Sequence, residues 1–91
     1  MTIQITHIRK PNPSSLHEAI SHYGCQKNDG TLGIYEREYF IKWLEDNSAK
    51  AYVSQNGNVT WCEIRNNGRI KYLQTHADGQ WSNNLLSLPQ C

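Results

Sequence analysis

Residues 2–9 (Thr-Ile-Gln-Ile-Thr-His-Ile-Arg) alternate apolar and polar side chains, the period-two pattern of a strand with one buried face. Lys10-Pro11-Asn12-Pro13-Ser14-Ser15 ends that pattern as a loop. Residues 19–25 fit a helix or a strand by period alone. A strand is favoured because Gly24 follows quickly and Asn28-Asp29-Gly30 then forms a turn. Residues 36–46 predict the one helix. Tyr39, Phe40, Trp43 and Leu44 recur at helical spacing on one side, Glu36 and Glu38 suit the positive end of the helix dipole, and Asn47 supplies a stop.

Beyond the helix, Asn56-Gly57 and Asn67-Gly68 each separate strand-like runs. Asn-Gly is the preferred centre of a type I′ hairpin, because both central residues need positive φ. The pattern predicts an antiparallel meander over 49–55, 58–66 and 69–75. Two-residue turns fix register: Tyr52 opposes Trp61, Ala51 opposes Cys62, Cys62 opposes Leu73, and Glu63 opposes Tyr72. One face then carries Ala51, Val53, Cys62, Ile64 and Leu73, a small aliphatic bed for the helix. The other carries Tyr52, Val59, Trp61, Ile70 and Tyr72 with Glu63 and Arg65. This aromatic row is core if strand 1, the 11–33 loop or a partner chain covers it. Left open, it is a contiguous apolar patch of the kind that marks binding sites.

The expected architecture is α+β: one domain spanning residues 1–91, with an antiparallel sheet of four to five strands and one helix packed on one face. Ninety-one residues make a modest core but leave little room for a deep, insulated catalytic cavity. A net charge of +1 gives no global basic field for tight nucleic-acid binding. Residues 1–10 form no apolar leader, and the longest apolar run is Tyr39-Phe40-Ile41, so no membrane association is expected and the expected compartment is the cytoplasm. Cys25, Cys62 and Cys91 form no C-x-x-C pair and read as free thiols, with Cys91 exposed.

The candidate chemistry is sparse. His17-Glu18-Ala19-Ile20-Ser21-His22 looks like a zinc-protease helix motif, but its histidines stand five apart rather than the four that share a helical face. A zinc site assembled from His7, His22, Cys25 or His76 lacks any tight ligand pair, so no metal and no cofactor is expected. Cys25 has no partner that would activate it as a nucleophile. Thr75, His76 and Asp78 gather a hydroxyl, an imidazole and a carboxylate. Asp-Gly after a strand is also ordinary turn chemistry. Ser82, Asn83 and Asn84 suit a tail that folds back, with Leu85, Leu86 and Leu88 closing one edge of the core.

Residues from both ends of the chain carry a resemblance. They are Ile5 to Arg9, His17-Glu18 with Ile20, Arg37-Glu38, and then Tyr72, Thr75, Ala77-Asp78-Gly79, Asn84-Leu85-Leu86, Leu88 and Pro89. In these the chain resembles a bacterial domain-of-unknown-function family of about 90-residue proteins. Asn83 stands where members usually carry Asp, and Tyr35 where a Ser or Thr cap is usual, which argues against a carboxylate-based site at position 83. The resemblance implies a fold and a bacterial or phage-related setting, and no activity.

The functional expectation is a non-enzymatic binding or accessory module that engages an unidentified protein partner. Its tentative binding residues are Tyr52, Trp61, Tyr72 and Arg65 on the sheet with Thr75, His76, Asp78 and Asn84 at the turn. The alternative is single-stranded nucleic-acid binding, with Tyr52, Trp61 and Tyr72 as stacking platforms and Lys50, Arg65, Arg69 and Lys71 holding phosphates.

Overall fold

The computed structural model describes residues 1–12, 16–27, 29–55, 57–77, 80–82 and 84–91. Among the described residues seven strands and one α-helix follow in the order β1 (Thr2–Arg9), β2 (His22–Gln26), β3 (Leu32–Glu36), α1 (Arg37–Asp46), β4 (Lys50–Gln55), β5 (Asn58–Asn66), β6 (Lys71–Ala77) and β7 (Gln80–Ser82). The sheet order is β3-β2-β1-β4-β5-β6-β7. The α+β class and the single helix match expectation, but the expected sheet does not. It has more than five strands, and it is mixed because β1 and β4 pair in parallel (Thr2 with Lys50, Gln4 with Tyr52). That pairing requires a crossover, which β2, β3 and α1 supply between the two strands.

Two further departures have local causes. The predicted strand 19–25 begins late. His17–Ala19 form a 3-10 turn, and β2 starts at His22. Arg37 holds that turn, its guanidinium donating to the carbonyls of Glu18 at 2.9 Å and Ile20 at 3.2 Å. Strand β3 lies in a stretch read as loop and turn, because its first inward position is Gly33 while Leu32 and Ile34 point outward.

Helix α1 buries Phe40, Ile41 and Leu44, each contributing roughly 1.5–3 kcal/mol by leaving water. Tyr39, assigned to the same side by spacing, is 62% exposed. The C-terminus is a full Schellman motif. Ala49 N–H donates to Leu44 O at 2.9 Å and Ser48 N–H to Glu45 O at 3.3 Å, with Ser48 at φ 49°. Asn47 adds its side chain to the Trp43 carbonyl at 2.8 Å.

The core joins Ile5, Ile8, Ile20, Tyr23 and Cys25 of the N-terminal half to Ala51, Val53, Cys62 and Leu73 of the meander, with α1 between. The tail seals one end as expected: Leu85 is fully buried, and Leu86 and Leu88 pack against the core. Ile8 N–H donates to Pro89 O and Cys91 N–H to Ile8 O, both at 3.0 Å. The tail thus takes the place beside β1 that β4 leaves vacant past Gln4. Cys91 is therefore half-buried rather than exposed.

Candidate functional site: an aromatic rank across the sheet

The first hairpin has the predicted register: Tyr52 opposes Trp61, and Gln55 opposes Asn58. The second is shifted. Ile64 opposes Leu73, Cys62 opposes Thr75 and Arg65 opposes Tyr72. The turn centre explains this. Asn67 N–H donates to Ile70 O at 3.2 Å, so Gly68-Arg69 rather than Asn67-Gly68 occupy the tip. Gly68, at φ 91°, takes the first central position, as in a type II′ turn. Asn67 Oδ1 accepts the Arg69 and Ile70 amides at 2.9 and 3.0 Å, and Asn66 Oδ1 accepts that of Gly68 at 2.8 Å. Moving the turn by one residue moves the pairing by two. An even shift keeps every side chain on its predicted face.

The aromatic row therefore survives with altered membership. Gln4, Tyr52, Trp61 and His76 stand directly opposite one another across β1, β4, β5 and β6. The backbone rank continues to Trp81 in β7. The rings of Tyr52 and Trp61 meet at 5.4 Å, tilted by 59°, a favourable cross-strand aromatic pair. Trp61 is 43% exposed and Val59, on the same face, 53%. At this end of the sheet the face is open.

The other predicted site residues fall differently. Tyr72 is buried, opposite Arg65 rather than Glu63, and cannot serve as a stacking platform. Arg65 donates to Gln74 Oε1 at 2.8 Å. Thr75 is fully buried on the helix face, opposite Cys62, and is not a surface contact. His76 is half-buried beside Trp61 in the rank. Asp78 and the side chain of Asn84, the other expected site residues at the turn, lie outside the described residues. Of the expected phosphate contacts, Lys71 is bound to Glu45 of α1 at 2.9 Å, on the opposite face from Trp61.

Among the described residues no three His, Cys, Asp or Glu side chains are placed to hold a metal ion. Burial pushes the Cys62 thiol up to about 12 and raises that of Cys25. His17 is buried, and desolvation lowers its pKa.

A feature missed in the sequence lies beside the helix, where Tyr35, Tyr39, Phe40 and Trp43 with Ile3 line a cavity. The signal was present, since Tyr35, Tyr39 and Trp43 recur every four residues. Reading the helix aromatics as core hid it.

A family model described as "Protein of unknown function (DUF3892)" matches residues 4–89. The chain belongs to that family. The match takes in most of β1, the helix, the aromatic rank and most of the tail of this DUF3892 protein. No curated protein and no solved structure matches it.

Proposed function

We propose that this DUF3892 protein is a non-enzymatic binding module that takes a protein partner on the sheet face around Tyr52, Trp61 and Val59. The exposure of Trp61 inside a directly opposed cross-strand rank carries this reading. A large aromatic presented on a rigid sheet loses little entropy on binding and buries a large area, which is why Trp and Tyr dominate interface hot spots. The half-buried polar groups beside it, Gln4 and His76, suit a rim. Buried free thiols at Cys25 and Cys62 favour a reducing compartment, so we place the module in a bacterial cytoplasm and take Tyr72–Pro89 as its family signature. Among the described residues no helix is long and apolar enough to cross a membrane.

The alternative, single-stranded nucleic acid, draws on the same two rings. It has less support, because Lys71 is committed to Glu45 and the exposed Glu63 projects from the same face as Trp61. A photo-reactive phenylalanine analogue at Val59 tests the reading. Cross-linking to one protein, competed by wild-type chain and not by Trp61→Ala, is the expected result. Cross-linking to oligonucleotides alone, suppressed by salt, would overturn it in favour of the alternative.

A further inference from the structure

The cavity beside the helix lies away from the aromatic rank. Tyr35, near the end of β3, precedes Tyr39 and Trp43 of α1 at four-residue intervals. Tyr35 and Tyr39 stack with centroids 5.9 Å apart and planes 17° from parallel. Phe40 closes the back, 6.3 Å from Tyr35 and 6.5 Å from Trp43. With Ile3 of β1 these rings line an open cleft of about 160 Å³. Gly33 makes this arrangement possible. A Cβ there would lie 2.9 Å from both Tyr35 Oη and Lys27 Cε, so only glycine lets the Tyr35 ring and the Lys27 stem lie across β3 unmoved.

The volume matches that of an apolar cavity of about 150 Å³ that admits one benzene ring. Beside it lies a recess that shares Ile3, Tyr35 and Trp43 and also takes in Met1, Thr2 and Lys27. Among the described residues no carboxylate lines either space. Asp29, near Lys27 in sequence, is held by the Thr31 hydroxyl at 2.6 Å and amide at 3.0 Å. An aromatic slot for one ring thus opens toward the Lys27 cation.

We propose that this cavity binds a small monocyclic aromatic carboxylate, with its ring among Tyr35, Tyr39 and Trp43 and its carboxylate at Lys27. The rings supply offset-stacked and edge contacts. Lys27 is exposed, so its ammonium selects the sign of the ligand's charge more than it adds affinity. This site is independent of the partner face around Trp61 and stands if that reading fails.

The test is an amide and indole NMR titration of the full chain with 3-phenylpropionate, 3-phenylpropanol and 3-phenylpropylammonium in turn. The expected result is a saturable shift of the Trp43 indole N–H and the Tyr35 and Tyr39 amides, with the Trp61 indole unmoved. The carboxylate binds roughly two- to fivefold tighter than the alcohol, and the ammonium binds weakest. Lys27→Gln abolishes the difference between acid and alcohol, and Tyr39→Ala, at an exposed position, weakens all three probes. No saturable shift at Trp43, or equal binding of the ammonium, overturns the proposal.

Discussion

The phenolic oxygen of Tyr23 accepts the backbone N–H of Leu73 at 3.1 Å, deep in the protein. Tyr23 belongs to β2 and Leu73 to β6, four places apart in the sheet order. The bond shows how far the sheet curls around α1, and it satisfies a buried amide that β7, pairing from Thr75 onward, does not reach. Phe40 packs on the same tyrosine ring at 5.3 Å, so sheet closure and helix docking share one side chain.

Removing only that hydroxyl strands a buried donor, which costs about 1–3 kcal/mol. Tyr23→Phe is therefore expected to lower the unfolding free energy by that amount, seen as a lower urea midpoint with an unchanged slope, and to speed hydrogen exchange at the Leu73 amide. An unchanged midpoint would show the bond to be dispensable.

His17 gives the fold a pH dependence. Its buried Nε2 has no hydrogen-bond partner among the described residues. Desolvation lowers its pKa below the ordinary 6.5, Lys10 and Arg65 add to the lowering, and Glu18 opposes it. The unfolded chain then takes up the proton first. Stability is complete above 6.5 and falls as pH drops from there through the lower folded value. Melting curves from about pH 7.5 to about pH 5 should show this loss, and His17→Gln should flatten it. Parallel slopes in the two proteins would contradict the assignment.

Ser48 occupies the left-handed position of the Schellman motif that glycine normally takes. A left-handed side chain costs roughly 1–2 kcal/mol, and the looser unfolded state of glycine returns about 0.4–1 of it. Ser48→Gly is expected to raise stability by about 0.5–1 kcal/mol, measured by denaturant unfolding, whereas Ser48→Val lowers it.

The thiols differ in reactivity. Cys25 and Cys62 are buried with raised pKa values, Cys62 at about 12, while Cys91 is half-buried. Because the thiolate is the reactive form, iodoacetamide on native protein should label Cys91 first and stop at one adduct per chain, read by intact mass. Labelling of Cys62 before unfolding would show that the meander face opens.

The elements most legible in the sequence were those whose local and tertiary preferences agree. Alternation in residues 2–9, the aromatic-rich helix and Asn56-Gly57 all point to the structure observed. Asn67-Gly68 misled by one residue, because the side chains of Asn66 and Asn67 bond the amides of Gly68, Arg69 and Ile70 and move the tip. Local sequence cannot weigh that competition, yet the two-residue slip spared the faces. Parallel pairing of β1 with β4 was illegible, since no residue within a strand encodes the crossover. Strand β3 escaped because its first inward position is a glycine. At the candidate site, Tyr52 and Trp61 were legible from the turn. Burial of Tyr72 was not, because β6 packs against the His17–Ala19 turn, which lies far from it in sequence.

The most direct test of the central claim is to compare Trp61→Ala with wild type for both melting temperature and partner capture by the Val59 cross-link. Trp61 is 43% exposed in an open rank, so the account predicts a folded variant with a melting temperature close to wild type and no captured partner. A variant that unfolds, or one that captures the same protein as wild type, would show that the aromatic rank is not the binding face.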